Sequence, residues 1–411
     1  MKVCFETFGC RLSKAEALQM ESDYLSQGWS LAQGHADADL FVVRGCSVTA
    51  RAQHECEKAI EHLRRHYPTT PIRIVGCIQG AEKATPRDRI VSNTVPTRTA
   101  RAYLKVQDGC SGSCAFCIVP KFRGKPVSED FIATVDRAKR FIDAGYREIV
   151  VTGCNLSLYA SSGRRLPDLA AALADLDDAC RIRIGSLEPG DAVRETICCM
   201  AERKNICRFL HLPIQSGSRN ILKAMGRPYE PKDIEATIRL AAQSLPGLGL
   251  GCDIITGFPG ESDLDFIATK GLLERLPFNN VHAFPYSERP GTPAAKFGGV
   301  IPQEIRRERA HDRQLPGTPA AAFHGSVPKA MRSARAHELS RIVRGKRELY
   351  ARHFIGKTVE VVLEDTEGRH GWTGEYLKCR IRDQADRKAL VRVLVARVAG
   401  VELEGRLVQQ A

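Results

Sequence analysis

Short apolar runs alternate with amphipathic segments along the first part of the chain. The runs are rich in β-branched residues and are followed closely by glycine or cysteine, which is typical of buried strands. The predicted strands are residues 3–7, 39–43 and 71–76, and the predicted helices are residues 14–27 and 50–65. This order predicts a small parallel α/β domain over residues 1–95, followed by a polar linker at 84–99.

The alternation resumes beyond the linker and continues to about residue 300. Six apolar runs predict strands, and helical stretches separate most of them. The runs are 103–106, 148–152, 182–185, 209–212, 250–255 and 281–284. Six parallel strands with crossover helices predict a partial (β/α)6 barrel. We assign residues 96–350 to this second domain, which ends in a basic helical segment at 301–350.

Residues 351–411 change character. Runs at 358–363, 371–377 and 390–395 predict short strands with turn residues between them. A small all-β barrel fits this pattern. The predicted fold class is therefore α/β, with a third, all-β domain at the C-terminal end.

Net charge, apolar runs and cysteine content limit the partners, the location and the kinds of site that the protein can have. The 411 residues carry a net charge of +13, so nucleic acid is the expected partner, and a basic protein without such a partner is the alternative. We see no run of about 18 apolar residues and no apolar leader, so we expect a cytoplasmic protein with no membrane partner. Fifteen cysteines in a reducing compartment indicate metal ligands, catalytic groups or buried thiols rather than disulfides.

Cys110, Cys114 and Cys117 form a CxxxCxxC motif just after a predicted strand. This spacing lets one short loop hold three corners of a cubic iron–sulfur cluster, whose usual ligands are thiolates. Three ligands leave one iron open, which is a catalytic arrangement by the logic of catalytic zinc sites. Zinc is the alternative, but it would need a fourth ligand and usually comes with a second CxxC-type pair, which the sequence lacks.

Cys10, Cys46 and Cys77 each follow a predicted strand of the first domain. Because parallel strands end at one edge of a sheet, these thiols could converge there, and three unrelated loop cysteines are the alternative. Cys4 lies within a strand and Cys56 within a helix, so we expect both to be packing residues.

The CxxxCxxC motif after the first strand of a barrel resembles the radical S-adenosylmethionine superfamily. A closer resemblance, to the methylthiotransferase family, covers nearly the whole chain. It rests on residues 101–110, 117–120, 123–124, 212–218, 253–261 and 284–293. The segments that further resemble the branch acting on tRNA N6-threonylcarbamoyladenosine are residues 107–110, 151–153 and 284–287.

The resemblance implies cofactors and a reaction. In the superfamily, a [4Fe-4S] cluster on the three motif cysteines binds S-adenosyl-L-methionine, and one electron cleaves it to a 5′-deoxyadenosyl radical. In the methylthiotransferase family, positions matching the three N-terminal cysteines hold a second [4Fe-4S] cluster, and the C-terminal barrel resembles the RNA-gripping TRAM domain. The implied reaction converts tRNA N6-threonylcarbamoyladenosine next to the anticodon into its 2-methylthio derivative. The implied partners are the tRNA anticodon loop, an electron donor such as a flavodoxin or ferredoxin, and a sulfur source.

Five further residues are candidate cofactor contacts. Phe116 fits the superfamily pattern beside the cofactor adenine. Gly257 lies in a glycine-rich turn where backbone can approach a ligand, although a plain tight turn is the alternative. Glu188 follows another strand, with a surface carboxylate as the alternative, and Gly153 and Gln215 complete the set.

The chain departs from the family pattern in three places. Ser13 stands where asparagine is usual, which alters the support of the N-terminal cluster. Cys154 replaces an apolar residue, either near the cofactor or as a buried thiol. Residues 290–313 recur as residues 316–339, a local tandem duplication whose first copy is the one in family context.

The third domain contains candidate tRNA contacts. Lys378, Arg380 and Arg382 could bind phosphates and so position a tRNA without reading its sequence. Trp372 or Tyr376 could stack on a base, but core packing of a small barrel is the favoured interpretation. Three other functions stay open: the same chemistry on tRNA isopentenyladenosine, the same chemistry on a ribosomal protein, and a non-enzymatic zinc and RNA-binding protein.

Overall fold

A computed structural model describes most of the chain. The described residues are 1–46, 50–78, 80–82, 100–297, 327–365, 367–386 and 389–408. The predicted linker at 84–99, most of the basic segment at 301–350 and much of the tandem duplication lie outside these ranges. None of the helices in the described ranges is long and apolar enough to cross a bilayer.

The N-terminal sheet is parallel, in the order β2-β1-β3-β4. Its elements are β1 (Lys2–Thr7), α1 (Arg11–Ser26), β2 (Ser30–Leu31), β3 (Leu40–Cys46), α2 (Ala50–His66) and β4 (Ile72–Cys77). Alternate residues of β3 face opposite sides, so Phe41 and Val43 pack in one core cluster with residues of α2, and Val42 packs in another with Met20 of α1. Cys56 is fully buried, as predicted, and burial raises its pKa to about 11.

The central domain contains the six predicted parallel strands. Its elements are β5 (Arg101–Asp108), α3 (Val119–Arg123), β6 (Val127–Ser128), α4 (Phe131–Asp143), β7 (Glu148–Gly153), β8 (Ala160–Ser161), β9 (Arg164–Arg165), α5 (Leu166–Ala174), β10 (Arg181–Ile184), α6 (Asp191–Glu202), β11 (Phe209–Gln215), α7 (Arg219–Ala224), α8 (Pro231–Ser244), β12 (Gly249–Thr256), α9 (Asp263–Arg275) and β13 (Asn280–Pro285). Sheets β10-β7-β5-β6 and β11-β12-β13 meet at a parallel bridge between Ile182 and Ile206, which gives a partial barrel.

The inner and outer faces of this barrel differ in chemistry. Along β5, Ala102, Leu104 and Val106 belong to the core cluster shared with the surrounding helices. Tyr103 and Lys105 point to the other side, toward α1, where Lys105 Nζ lies 2.7 Å from a carboxylate oxygen of Glu16. The N-terminal domain therefore packs through α1 against the concave face of the barrel.

The C-terminal domain is a closed five-stranded barrel in the order β14-β15-β16-β18-β17. Its elements, with the preceding helix, are α10 (Lys329–Arg352), β14 (Thr358–Leu363), β15 (His370–Thr373), β16 (Lys378–Ile381), β17 (Leu390–Ala399) and β18 (Glu402–Leu407). The strand predicted at 371–377 ends at Thr373, because the chain turns there. Sequence patterns did not predict β16 and β18.

This C-terminal barrel closes the end of the central barrel at which the strands begin. The fully buried carboxylate of Glu148 binds Arg181 over 2.6 Å and Arg183 over 2.8 and 3.0 Å. Arg183 also donates to the backbone carbonyls of Thr373 (2.8 Å) and Gly374 (3.1 Å). Buried charges and a backbone turn of the C-terminal barrel therefore form one hydrogen-bonded floor.

Tyr376 fills the centre of the floor. Its ring stacks on Phe209 and on Trp372, with 4.7 Å between centroids in each case. The guanidinium groups of Arg183 and of Arg11 in α1 both lie 5.2 Å from the centroid of the same ring. Tyr376 adopts a positive φ of 66°, which is uncommon for an aromatic residue. It is thus a packing residue, as favoured from the sequence, but it packs between the two barrels and does not belong to the core cluster of the small barrel.

Candidate active site

The loop after β5 carries the CxxxCxxC thiols. Gly109 begins it with a φ of +68°, and a side chain there would overlap the carbonyl of Lys125. The Gly112 N–H donates to Cys110 Sγ over 3.2 Å. A Cβ on Gly112 would lie 3.3 Å from that sulfur and 3.7 Å from Cys114 Sγ. The glycine therefore leaves a cradle between two thiols.

Cys117 completes the set on the same loop. Its N–H donates to the Cys114 carbonyl over 3.1 Å, and burial raises the pKa of its thiol to about 11. A buried thiol of this kind becomes a thiolate readily only beside a positive charge such as a metal. Three partly buried sulfur donors around a side-chain-free cradle fit the donor set of a [4Fe-4S] cluster.

Arg227 links Glu188 to this loop. Arg227 donates to Cys114 Sγ over 3.0 Å, forms an ion pair with Glu188 and donates to the Pro213 carbonyl over 2.9 Å. Burial raises the pKa of Glu188, although Arg227 opposes this shift. The predicted cofactor residue is thus a half-buried carboxylate held at the mouth of the barrel, and Arg227 is a neighbour that the sequence reasoning missed.

Gly153 ends β7 against the start of the thiol loop. A Cβ there would lie 3.0 Å from the Cβ of Gln107, so the glycine lets the two strands approach. The Gln107 side chain accepts from the Asn155 N–H and donates to the Gly109 carbonyl, each over 2.8 Å. The side-chain nitrogen Nδ2 of Asn155 lies 3.9 Å from Cys110 Sγ. Gly153 therefore permits the packing that positions the loop.

The other three candidates lie at the same end of the barrel. Phe116 packs on an apolar cluster that includes Phe258. Gln215 is buried at the end of β11 with a φ of +67°. Gly257 follows β12 with a φ of +69°, and the aliphatic carbons of Arg332 in α10 occupy the place of a side chain. The structure brings all five candidates to the edge that carries the motif cysteines.

The N-terminal thiols also converge. Cys46 and Cys77 are the last residues of β3 and β4 and are paired across the two strands. A Cβ on Gly9 would lie 2.8 Å from the Cβ of Cys46, so the loop leading to Cys10 crosses directly over it. Ser13 is buried, with its hydroxyl 4.0 Å from Cys10 Sγ. Three thiols from one sheet edge thus provide a second donor set for a [4Fe-4S] cluster.

Arg123, in the last turn of α3, connects the two thiol sets. Its Nε lies 2.9 Å from Cys77 Sγ, and one terminal nitrogen lies 2.9 Å from Asp108. Its two terminal nitrogens also bind the carboxylate of Glu16 over 2.9 and 3.0 Å. Asp108 accepts from the Gly109 N–H over 2.8 Å, directly before the thiol loop. One guanidinium group therefore contacts a thiol of the second set and the carboxylate that holds the start of the motif loop.

The charges around Arg123 are largely buried. Lys105 binds Glu16 over 2.7 Å and Asp108 over 2.5 Å, and Arg44 forms a further ion pair with Glu16. Burial alone would raise the pKa of Asp108, but Arg123 and Lys105 together hold it well below its ordinary value. Sequence reasoning missed this network, because its members come from both domains and meet only through tertiary contacts.

Cys154 lies at the edge of this network. Its Sγ is 3.4 Å from a carboxylate oxygen of Asp108, and burial raises the pKa of the thiol to about 12. It is therefore a neutral thiol that donates to the carboxylate. Its partial burial fits a packed thiol, and its proximity to the cofactor stays a prediction.

Comparisons with known proteins agree with this geometry. A family model described as the radical SAM superfamily matches residues 104–273, and one described as uncharacterized protein family UPF0004 matches residues 2–95. A threonylcarbamoyladenosine tRNA methylthiotransferase, MtaB, of Aquifex aeolicus is 30% identical over 352 residues, which cover 75% of this chain and 86% of that protein. The chain belongs to the radical SAM methylthiotransferase family.

Other family members carry two different names. A tRNA-2-methylthio-N(6)-dimethylallyladenosine synthase of Zymomonas mobilis is 33% identical over 349 residues, covering 74% of this chain and 78% of that one. Among solved structures, the radical S-adenosylmethionine methyltransferase TsrM of Kitasatospora setae matches with a TM-score of 0.53 at 14% identity, covering 77% and 79% of the two chains. The latter likeness supports the fold alone.

Membership confirms several expectations from the sequence. This radical SAM methylthiotransferase is an enzyme that transfers sulfur-containing groups. Its cofactors are S-adenosyl-L-methionine and two [4Fe-4S] clusters. The α/β class with a C-terminal closed barrel is also confirmed.

Proposed function

We propose that this enzyme converts N6-threonylcarbamoyladenosine next to the anticodon of a tRNA into its 2-methylthio derivative. The observation that carries the proposal is the pair of three-thiol sets at one mouth, joined through Arg123. Three relatives named threonylcarbamoyladenosine tRNA methylthiotransferase, from Aquifex aeolicus, Chlamydia pneumoniae and Thermotoga maritima, support the choice of base at 28–30% identity.

Six cysteines would hold the two clusters. Those of the radical site are Cys110, Cys114 and Cys117, and those of the second site are Cys10, Cys46 and Cys77. When bound, the clusters and S-adenosyl-L-methionine supply the radical and sulfur-transfer chemistry. We assign the second site to a domain of residues 1–95, the radical site to residues 96–350 and tRNA binding to residues 351–411.

The protein's own residues orient the reactants and exclude water. The Arg227–Glu188 pair lies at the mouth, where it can contact the amino and carboxylate groups of an amino-acid cofactor. Tyr376 and the Glu148 charge network close the opposite end, so a base that enters from the mouth meets a sealed lumen. The target base must leave its stack to enter, and single-stranded anticodon loops allow this.

Exposed cations of the C-terminal barrel would bind the tRNA backbone. Lys378, Arg380 and Arg382 are exposed along and just beyond β16, in the positions proposed for phosphate contacts. Such contacts position the RNA without reading its sequence. On this basis we propose that the substrate is a tRNA. We further propose a flavodoxin or ferredoxin as the electron donor, and a separate sulfur source.

Metal content and nucleoside mass spectrometry test the proposal. After anaerobic reconstitution we expect about eight iron atoms per wild-type chain, and about four after simultaneous alanine substitution of the three motif cysteines. Cys198→Ala, at an exposed position on α6, is the matched control and should keep all eight. Zinc without iron would contradict the proposal.

The base is tested by incubating the holoenzyme with tRNA that carries either N6-threonylcarbamoyladenosine or N6-isopentenyladenosine. We expect a 2-methylthio product from the first and little from the second. Product from isopentenyladenosine alone would favour the second candidate, which the similarity to the Zymomonas mobilis synthase supports. Product on neither tRNA would redirect the search to a protein substrate.

A further inference from the structure

Three polar side chains form a cluster on the inner wall of the central barrel, apart from the thiol sites. His211, Asp253 and His282 lie on the adjacent strands β11, β12 and β13. Their neighbours along the strands, such as Leu212 and Cys252, belong to the core that packs against the helices. Since side chains alternate along a strand, the three polar groups face the lumen.

Asp253 holds both imidazoles. One of its carboxylate oxygens lies 3.1 Å from His211 Nε2 and 3.3 Å from His282 Nδ1. Burial alone would raise the pKa of Asp253, but its hydrogen bonds with the two histidines keep the pKa well below its ordinary value. An ionised carboxylate only accepts, so each histidine donates a hydrogen bond from the ring N–H that faces it. The carboxylate therefore fixes the tautomer and the ring orientation of both histidines.

His282 is the accessible member of the cluster. About half of its side chain is exposed, whereas His211 is buried. Among the residues that the structure describes, its Nε2 has no hydrogen-bond partner, and the exposed ring of Phe284 lies 6.2 Å away between centroids. An oriented imidazole with one available nitrogen can accept from a hydroxyl or N–H group, or donate to a carboxylate once protonated.

The depth of His282 suits a substituent of the target base. It lies three residues before the end of β13, which places it roughly 10 Å below the mouth at the rise of a β-strand. In adenine, C2 and the N6 substituent project in different directions from either side of N1. A base whose C2 faces the thiols at the mouth can therefore direct its N6 substituent into the lumen, at the depth of this wall.

We propose that His282, oriented by Asp253 and His211, binds the polar N6 substituent of the target adenosine and so determines the choice of base. The ligand class is an N6-linked carbamoyl amino acid, which offers a carboxylate, a hydroxyl and N–H groups. An isopentenyl group offers none of these and would leave the imidazole unpaired. The inference rests on the proposed function.

Binding to synthetic anticodon stem-loops tests the assignment. Holoenzyme is titrated with stem-loops that carry threonylcarbamoyladenosine, isopentenyladenosine or unmodified adenosine at the target position. We expect His282→Leu to weaken binding of the first by about tenfold or more, the effect of losing one hydrogen bond to a polar or charged group, and to change the other two by less than twofold. His282→Gln should recover part of the loss.

Two further variants separate recognition from folding. Asp253→Asn, which removes the anchoring charge, should weaken the same stem-loop selectively while iron content stays at the wild-type value. His353→Leu, at an exposed position just after α10, is the matched control and should bind all three RNAs as the wild type does. In steady state, His282→Leu should raise KM for threonylcarbamoyladenosine tRNA more than it lowers kcat.

Several results would overturn the assignment. Equal losses on all three RNAs, or no loss on the threonylcarbamoyl stem-loop, would refute it while leaving the proposed function intact if the 2-methylthio product still forms. A stoichiometric ion other than iron that disappears in Asp253→Asn would make the cluster a metal site instead. If wild-type enzyme prefers isopentenyladenosine in both binding and turnover, the proposed function and the assignment fail together.

Discussion

Substitution of Glu148 by glutamine should destabilise the protein strongly. Glu148 is fully buried and binds Arg181, Arg183 and Arg101, the last over 3.0 Å. Glutamine keeps the shape but removes the charge, so two guanidinium groups of the floor remain buried beside a neutral amide. Loss of one partner of a buried ion pair costs about 3–5 kcal/mol. Because Arg101 keeps a second carboxylate, Glu364, at 3.2 Å, we expect a value of about 3 kcal/mol.

Urea unfolding of the full chain measures this loss. The chain has two tryptophans, so in a Trp29→Phe background the fluorescence of Trp372 reports on the floor itself. Glu195→Gln is the matched control, because its ion pair with Arg165 is about half exposed and should contribute little. A Glu148→Gln midpoint equal to that of the control would refute the reasoning that buried charge complementarity joins the two barrels.

Three further results are expected. Arg123→Gln should keep the radical-site iron but weaken the second cluster, seen as an altered electron paramagnetic resonance signal and faster loss of about four iron atoms to a chelator. Arg203→Gln, just after α6, should change neither property. Gly109→Ala should reduce iron at the motif cysteines, because its Cβ would overlap a backbone carbonyl, and full iron content would contradict this. The pKa of Glu148 in the folded protein lies below its unfolded value near 4.5. The stability that its ionised carboxylate contributes is therefore complete above about pH 5 and is lost as the pH falls. Between pH 5 and pH 3, the unfolding free energy of Glu148→Gln should decline less steeply than that of the wild type.

Local patterns were sufficient for most of the architecture. All nine strands predicted in the first two domains are present, because a buried parallel strand is an apolar run that shows directly in the sequence. β16 was missed because its four residues, Lys378–Ile381, alternate polar and apolar and follow a turn that the sequence pattern ran through. Strands this short carry too few residues for their period to stand out.

The residues of the site also fall into two groups, those that the sequence predicts and those that it does not. The six cysteines were found because spacing and strand ends are properties of the sequence. Glu16 and Arg123 were not paired, because they lie 107 positions apart and come together only when the two domains dock. The same holds for His211 and His282, which meet through Asp253 across three strands. Charged and polar partners that meet only through tertiary contacts show no periodicity or fixed spacing in the sequence.

The floor of the barrel bears on how the enzyme can change over evolution. Arg183 reaches the carbonyls of Thr373 and Gly374, and Tyr376 inserts between residues of the two barrels. The C-terminal barrel completes the hydrogen bonding of the central barrel, so it cannot be exchanged like an independent module. Its removal would leave the arginines of the floor without their partners and open the lumen to water. We therefore expect substitutions at the proposed phosphate contacts on outward strands, such as β16, to leave the fold intact, whereas substitutions in the inward turn should need compensating changes in the barrel that it seals.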